Sequence, residues 1–192
     1  GTLKVIALTS GIATSPDDEI DRVADIVKSL VPYGVPIGVA VHPAKDSSRK
    51  LKEAGVTEVK YSVETMDPEI FDRICRGRKG HNLKFILESL REAVEVFGRN
   101  HVSTNIIIGL GETDECVRHG VEYLAQMGVI AVLRPISISP LRKEALEHAV
   151  RPSPERLLKL TTMTREILEK YGLSTRESQT MCLACTGCDL TP

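Results

Sequence analysis

"NIIIGLGETDE", residues 105–115, contains the unit from which the fold can be read. Ile106 to Ile108 make a β-branched run, and Gly109 and Gly111 punctuate it. The stretch "ETDECVRHGVEYLAQMG" then spaces Cys116, Gly120, Leu124 and Met127 along one helix face. Strand, glycine turn and helix thus follow one another directly, and the unit recurs on both sides. "LKVIAL", "PIGVAV", "EVKYSV", "STNIII" and "VIAVLRPISI" are the predicted strands, apolar almost throughout, as strands covered on both faces are.

The intervening stretches have helix periods and readable ends. "SPDDEIDRVADIVKSL" is capped by Ser15, has Pro16 in its first turn and Asp18 at capping-box distance, and aligns Ile20, Val23, Val27 and Leu30. "DPEIFDRI" repeats the device with Asp67 and Pro68. "HNLKFILESLREAVEVFG" aligns Leu83, Leu87, Leu90, Val94 and Phe97 and stops at Gly98. "SPERLLKLTTMTREILEKYG" starts at Ser153 and ends at Gly172. Strands alternating with helices predict an α/β fold with a parallel sheet and right-handed crossovers. An open doubly wound sheet and an arc or barrel of (β/α) units both satisfy the pattern.

Composition narrows the partners. The 192 residues are 42% hydrophobic, enough for one sizeable core, and 25 basic against 26 acidic residues leave almost no net charge. No Lys/Arg-rich block points to nucleic acid, and no apolar run is long enough to cross a bilayer. A cytoplasmic protein with small, polar ligands is expected.

Both competing architectures bind ligands at the carboxyl ends of the strands. Thr9, Ser10 and Gly11 follow the first strand, His42 and Pro43 the second, Ser62, Glu64 and Thr65 the third, and Gly109, Gly111, Glu112 and Thr113 the fourth; Arg134 lies in or just past the fifth. Such hydroxyls, glycines, carboxylates and a guanidinium suit a ligand with an amino group, a carboxylate and a ribose. G-x-S-x-G, H-E-x-x-H and phosphate-loop motifs are all missing, which argues against hydrolase and nucleotide-triphosphatase readings. Several of these residues also have a purely structural reading: Glu64 and Glu112 precede helix starts, Ser62 and Thr65 suit caps, and Arg134 in an apolar strand needs an anionic partner such as Glu112 or Glu64.

Three of the five cysteines, Cys182, Cys185 and Cys188, lie in "QTMCLACTGCDLTP" at C-x-x-C-x-x-C spacing. That spacing resembles the bacterial ferredoxin run around a 4Fe-4S cluster, and Gly187 permits tight wrapping. A zinc site is the chief rival. Cys75 and Cys116, on helical stretches, read as small core residues or as sources of a fourth ligand.

In combination these stretches resemble the radical S-adenosylmethionine (radical SAM) superfamily, in the branch containing biotin and lipoyl synthases. "LTSG" is similar to the second barrel strand of that branch, "LKEAGVTEVKYSVET" to its fourth, "NIIIGLGETDE" to its fifth and "VLRPISISP" to its sixth. Of the fifth-strand pattern G-x-I-x-G-x-x-E, Ile107, Gly109 and Glu112 match, and Asn105 stands in place of the first glycine. The resemblance covers about residues 3 to 172 and implies a partial TIM barrel of (β/α)6 type, here with five parallel strands and outer helices, lacking its first strand. Residues 173–192 then form a C-terminal segment.

The resemblance also implies an activity: reductive cleavage of S-adenosylmethionine (SAM) to a 5'-deoxyadenosyl radical for hydrogen abstraction, followed by sulfur insertion or cofactor maturation. It puts Ser10 and Gly11 near the SAM amino group or its cluster, Ser62 and Glu64 on the ribose or methionine, and the backbone around Ile107 and Gly109 against adenine. Thr65, Glu112 and Arg134 complete the cofactor-binding set, with Lys84 or Arg78 for the SAM carboxylate. The family's C-x-x-x-C-x-x-C loop is missing from this sequence, so the SAM-bound cluster is expected from a segment upstream. Cys182, Cys185 and Cys188 would hold an auxiliary 4Fe-4S cluster, with "LSTRESQTM" long enough to return to the strand-end face. Expected partners are a small-molecule or protein-tethered substrate and a donor such as ferredoxin or flavodoxin. The alternative is a non-catalytic metal-binding scaffold.

Overall fold

Among the described residues five strands form one sheet in chain order, each neighbouring pair parallel: β1 (Ile6–Thr9), β2 (Ile37–Ala40), β3 (Glu58–Lys60), β4 (Val102–Ile108) and β5 (Ile130–Pro135). The structure is a computed structural model that describes residues 2–75, 82–138, 146–181, 183 and 190. In a doubly wound sheet the strand order reverses at a switch point, and here it never does. Right-handed crossovers in one direction put the helices on one face, so the sheet is an arc of a barrel.

Helices α1 (Pro16–Leu30), α2 (Ser47–Ala54), α3 (Pro68–Ile74), α4 (Leu83–Phe97), α5 (Asp114–Met127) and α6 (Pro154–Lys170) fill the connections and follow β5. Their starts are local chemistry. Ser15, Asp67, Asn82, Thr113 and Ser153 each accept a hydrogen bond from a backbone amide of the first turn. Helix α2 is missing from the sequence reading because it is short and its cap, Asp46, bonds no first-turn amide through its side chain. A distant residue anchors it instead. The Tyr61 hydroxyl lies 2.9 Å from Ser47 Oγ and 3.1 Å from Ser48 Oγ, and burial pushes its pKa up to about 12. The buried stripe of α4 is Ile86, Leu90, Ala93 and Phe97, rotated from the predicted one; Leu83, Leu87 and Val94 flank it.

Strand register separates two faces. Ile37, Val39, Val59, Val102, Ile106, Ala131 and Leu133 share the face that packs on Ile20, Val27, Leu51, Leu90 and Val121 of the helices. The concave face carries Gly38, Glu58, Lys60, Ser103, Asn105 and Arg134. Its lower part is filled by the C-terminal segment. Ser178 Oγ donates to the Asn100 carbonyl at 3.0 Å, before β4 begins. Next, the amides of Gln179 and Thr180 donate to the Glu58 carboxylate at 2.8 and 2.7 Å, and the Thr180 hydroxyl adds a third bond at 2.6 Å.

The segment therefore enters from the amino-terminal end of the barrel. Lys60 Nζ lies 3.4 Å from the Met181 carbonyl, Leu183 packs with Ile130, Val132 and Leu168, and the Leu190 amide donates to Leu133 at 3.0 Å in an antiparallel bridge on β5. Cys182, Cys185 and Cys188 lie outside the described residues.

Gly38 is the residue that admits this segment. A Cβ there would overlap the Thr180 hydroxyl and the Met181 methyl. Gly38→Val should therefore cost about 1–3 kcal/mol by overpacking, read by urea unfolding, and should open the chain near Thr180 to protease; unchanged stability and protection would contradict the packing.

Candidate functional site

The carboxyl ends of the strands bring Ser10, Ser62, Glu64, Thr65, Ile107, Gly109, Glu112 and Arg134 to one rim of the sheet. Their roles there differ. Ser10, just past β1, donates its hydroxyl to Glu19 and accepts from Arg22 at 2.7 Å, while Arg22 also pairs with Glu19. These partners hold the Glu19 carboxyl below its usual range, the Arg22 bond first and the Ser10 bond second. Gly11 is exposed, with open space around its Cα.

The third strand continues to the rim through a bulge. Lys60 is level with Ser103 and Glu64 with Ile106, so four steps along one strand match three along the other. The Thr104 hydroxyl takes the displaced Val63 amide at 2.9 Å. Glu64 then donates its amide to Asn105, accepts from the Ile107 amide, and is held at φ 65°. A non-glycine residue in this region stores strain, which structures keep chiefly where a side chain must be aimed. Thr65 is different: it is buried, and its hydroxyl accepts the Asp67 amide at 3.2 Å as part of the turn into α3.

The loop after β4 is built around Glu112. One carboxylate oxygen accepts the Gly109 amide and the other the Leu110 amide, both at 2.8 Å, and Arg156 of α6 binds the first at 3.0 Å and the Glu112 carbonyl as well. Arg156 also bonds Asp114 at 2.8 Å; this and the Lys159 bond keep Asp114 below the ordinary carboxylate range. The Gly109 carbonyl accepts the Val150 amide, and a Cβ on Gly109 would collide with the Val150 carbonyl. Both polar backbone groups of Gly109 are thus used within the protein. Glu112 shapes the rim; Arg156, not Arg134, is its ion-pair partner in the described contacts.

Ser62, Glu64, Ile107 and Arg134 are half-buried at the rim. Lys84 is largely exposed on α4, pairs with Glu88 and lines an outer groove with Pro68, Asp72, Leu87 and Tyr123, none of them a rim residue. Arg78 lies outside the described residues. Sequence reasoning gave no role to Glu58, Arg156 or the side chain of Asn105. The only available signal was Asn105 standing where the family pattern has glycine. Among the described residues no group of His, Cys, Asp or Glu could hold a metal ion, and no helix is long and apolar enough to cross a membrane.

The family model for the radical SAM superfamily matches residues 1–124. The chain belongs to the radical SAM superfamily. Its relatives include a "Probable GTP 3',8-cyclase" of Thermococcus kodakarensis, 28% identical over 173 residues, and the biotin synthase of a Hydrogenobaculum species, 32% identical over 132. The chain spans 53% of the first protein and 38% of the second, matched by 85% and 65% of its own length. Among solved structures, the [FeFe]-hydrogenase maturase HydG superposes over 92% of this chain and 42% of its own (TM-score 0.65, 21% identity). Coproporphyrinogen III oxidase of Escherichia coli superposes over 86% and 40% (TM-score 0.62, 18% identity). At such identities these structures support the fold. The rim described above lies at the carboxyl ends of the strands, the end at which (β/α) barrels in general bind their ligands.

The Glu112 clamp predicts a measurable loss. Glu112→Ala leaves two amides and the Arg156 guanidinium without their acceptor and should cost about 2–4 kcal/mol in denaturant unfolding. Glu64→Gly should instead raise stability by about 1 kcal/mol through relief of strain; a fall on that substitution would show that φ is not strained there.

Proposed function

We propose that this chain is the barrel portion of a radical SAM enzyme, with SAM held across the rim. The observation that supports this reading most is the bulge in β3, which keeps Glu64 in a strained conformation beside Asn105 at the carboxyl ends of the strands. Ser62 and Glu64 would take the ribose or methionine end, Ile107 would lie against adenine, and Arg134 would face the carboxylate side. When bound, SAM and a reduced 4Fe-4S cluster supply the 5'-deoxyadenosyl radical that abstracts a substrate hydrogen. The protein's share is to orient, to exclude water and to keep the rim rigid through Glu112.

The residues described fit the organic part of this cofactor set: the rim offers hydroxyl, carboxylate and guanidinium groups around an apolar strand end. The SAM-bound cluster is assigned to a segment outside this sequence. That segment would add to the free side of β1, where Leu3, Val5 and Ile12 are exposed. Cys182, Cys185 and Cys188 are assigned to an auxiliary cluster. Relatives named as a GTP cyclase and a biotin synthase bracket the outcome between cofactor maturation and sulfur insertion, on a small or protein-tethered substrate with a ferredoxin or flavodoxin as donor.

A metal-binding scaffold is the second reading, favoured by the cysteines lying in the tail and not in the family loop. Anaerobic reconstitution with iron and sulfide of the protein together with the segment assigned to the SAM-bound cluster, followed by electron paramagnetic resonance with and without SAM, separates the two. The enzyme reading expects a cluster signal that SAM alters and that replacing the three tail cysteines by alanine diminishes. A signal indifferent to SAM would point to the scaffold.

A further inference from the structure

Asn105 is a buried polar residue whose side-chain oxygen the protein does not use. It is 8% exposed, and its Oδ1 has no hydrogen-bond partner. Leaving a buried carbonyl oxygen unpaired is unfavourable, and native structures keep such atoms mainly where a ligand or a function requires them. The other orphaned side-chain atoms among the described residues, Arg73 Nε and the hydroxyls of Thr161 and Thr164, belong to α3 and α6. Among these atoms, Asn105 Oδ1 alone is on a strand. Register places its side chain on the concave face, with Ser103 below and Ile107 above.

Its neighbours define what it could bind. The Asn105 carbonyl accepts the Glu64 amide, so Asn105 stands beside the bulge of β3. Ile107, on the same face, is about 7 Å further toward the rim. The orphaned acceptor is therefore between the positions assigned above to the ribose and to the adenine. Where the superfamily pattern has a glycine, this chain projects an amide into that space.

We infer that Asn105 Oδ1 accepts a hydrogen bond from a ribose hydroxyl of the bound adenosyl group, making Asn105 a specificity residue for the sugar. This rests on the rim being the SAM site. The test measures binding of S-adenosylhomocysteine and of its 2'-deoxy and 3'-deoxy forms by titration calorimetry, in the wild type and in Asn105→Leu and Asn105→Ala. Replacement should weaken the parent ligand about 3- to 10-fold, the range of one hydrogen bond between uncharged groups. One of the two deoxy forms should bind wild type and variants alike. Because the amide makes no bond to the protein through Oδ1, Asn105→Leu should melt at or above the wild-type temperature.

Three results would overturn the inference. One is unchanged affinity for the parent ligand in both variants, and another is an equal loss for all three ligands. The third is a marked fall in melting temperature in both, which would make the amide structural. If the wild type bound none of the ligands, the SAM reading of the rim would fail first and take this inference with it.

Discussion

A single carboxylate, that of Glu58, sets the organisation of the barrel interior. It sits at the start of β3 on the concave face and takes three hydrogen bonds from Gln179 and Thr180, with His101 Nδ1 at 3.1 Å. An ionised acceptor paired with backbone amides away from water makes strong bonds, and leaving it without them would be costly. The chain is thereby committed to cross below the barrel and turn upward into it. Gly38 removes the side chain that would block the way, and Met181, at φ 61°, completes the turn.

The consequence is a barrel with two differently built ends. At the amino end, Asn100 ties the segment down through its carbonyl to Ser178, its amide nitrogen to Glu177 and its side-chain oxygen to the Ser174 amide. At the carboxyl end, the rim is kept in shape by short-range devices: the Glu112 clamp, the Ser10, Glu19 and Arg22 cluster, and the bulge at Glu64. Polar groups that would otherwise compete for a ligand are largely satisfied by the protein itself. On β4, the row Ser103, Asn105 and Ile107 projects inward between the two ends.

Much of this fold could be read along the chain because its rules are local. Caps at Ser15, Asp67 and Ser153 and the stop at Gly98 depend on neighbouring residues, and they stand where periodicity put them. Helix α2 was missed because its anchor is Tyr61. Strand β3 ends earlier than its apolar run because the bulge shifts the pairing, which the run itself cannot reveal. At the site, strand ends located the rim, but Glu112 and Gly109 matched a family pattern for reasons of loop construction. The bonds of Glu58 span some 120 residues, and no pattern in sequence joins Glu58 to Thr180.

The choice between barrel and doubly wound sheet shows the same division. Alternation established parallel pairing, while strand order was a property of the whole assembly. The barrel interior therefore depends on the C-terminal segment being held at Glu58. Amide hydrogen exchange at Gln179 and Thr180 tests this most directly. Protection close to that of the β4 amides, lost in Glu58→Gln, is the predicted result; exchange at the rate of an exposed terminus in the unaltered chain would contradict it.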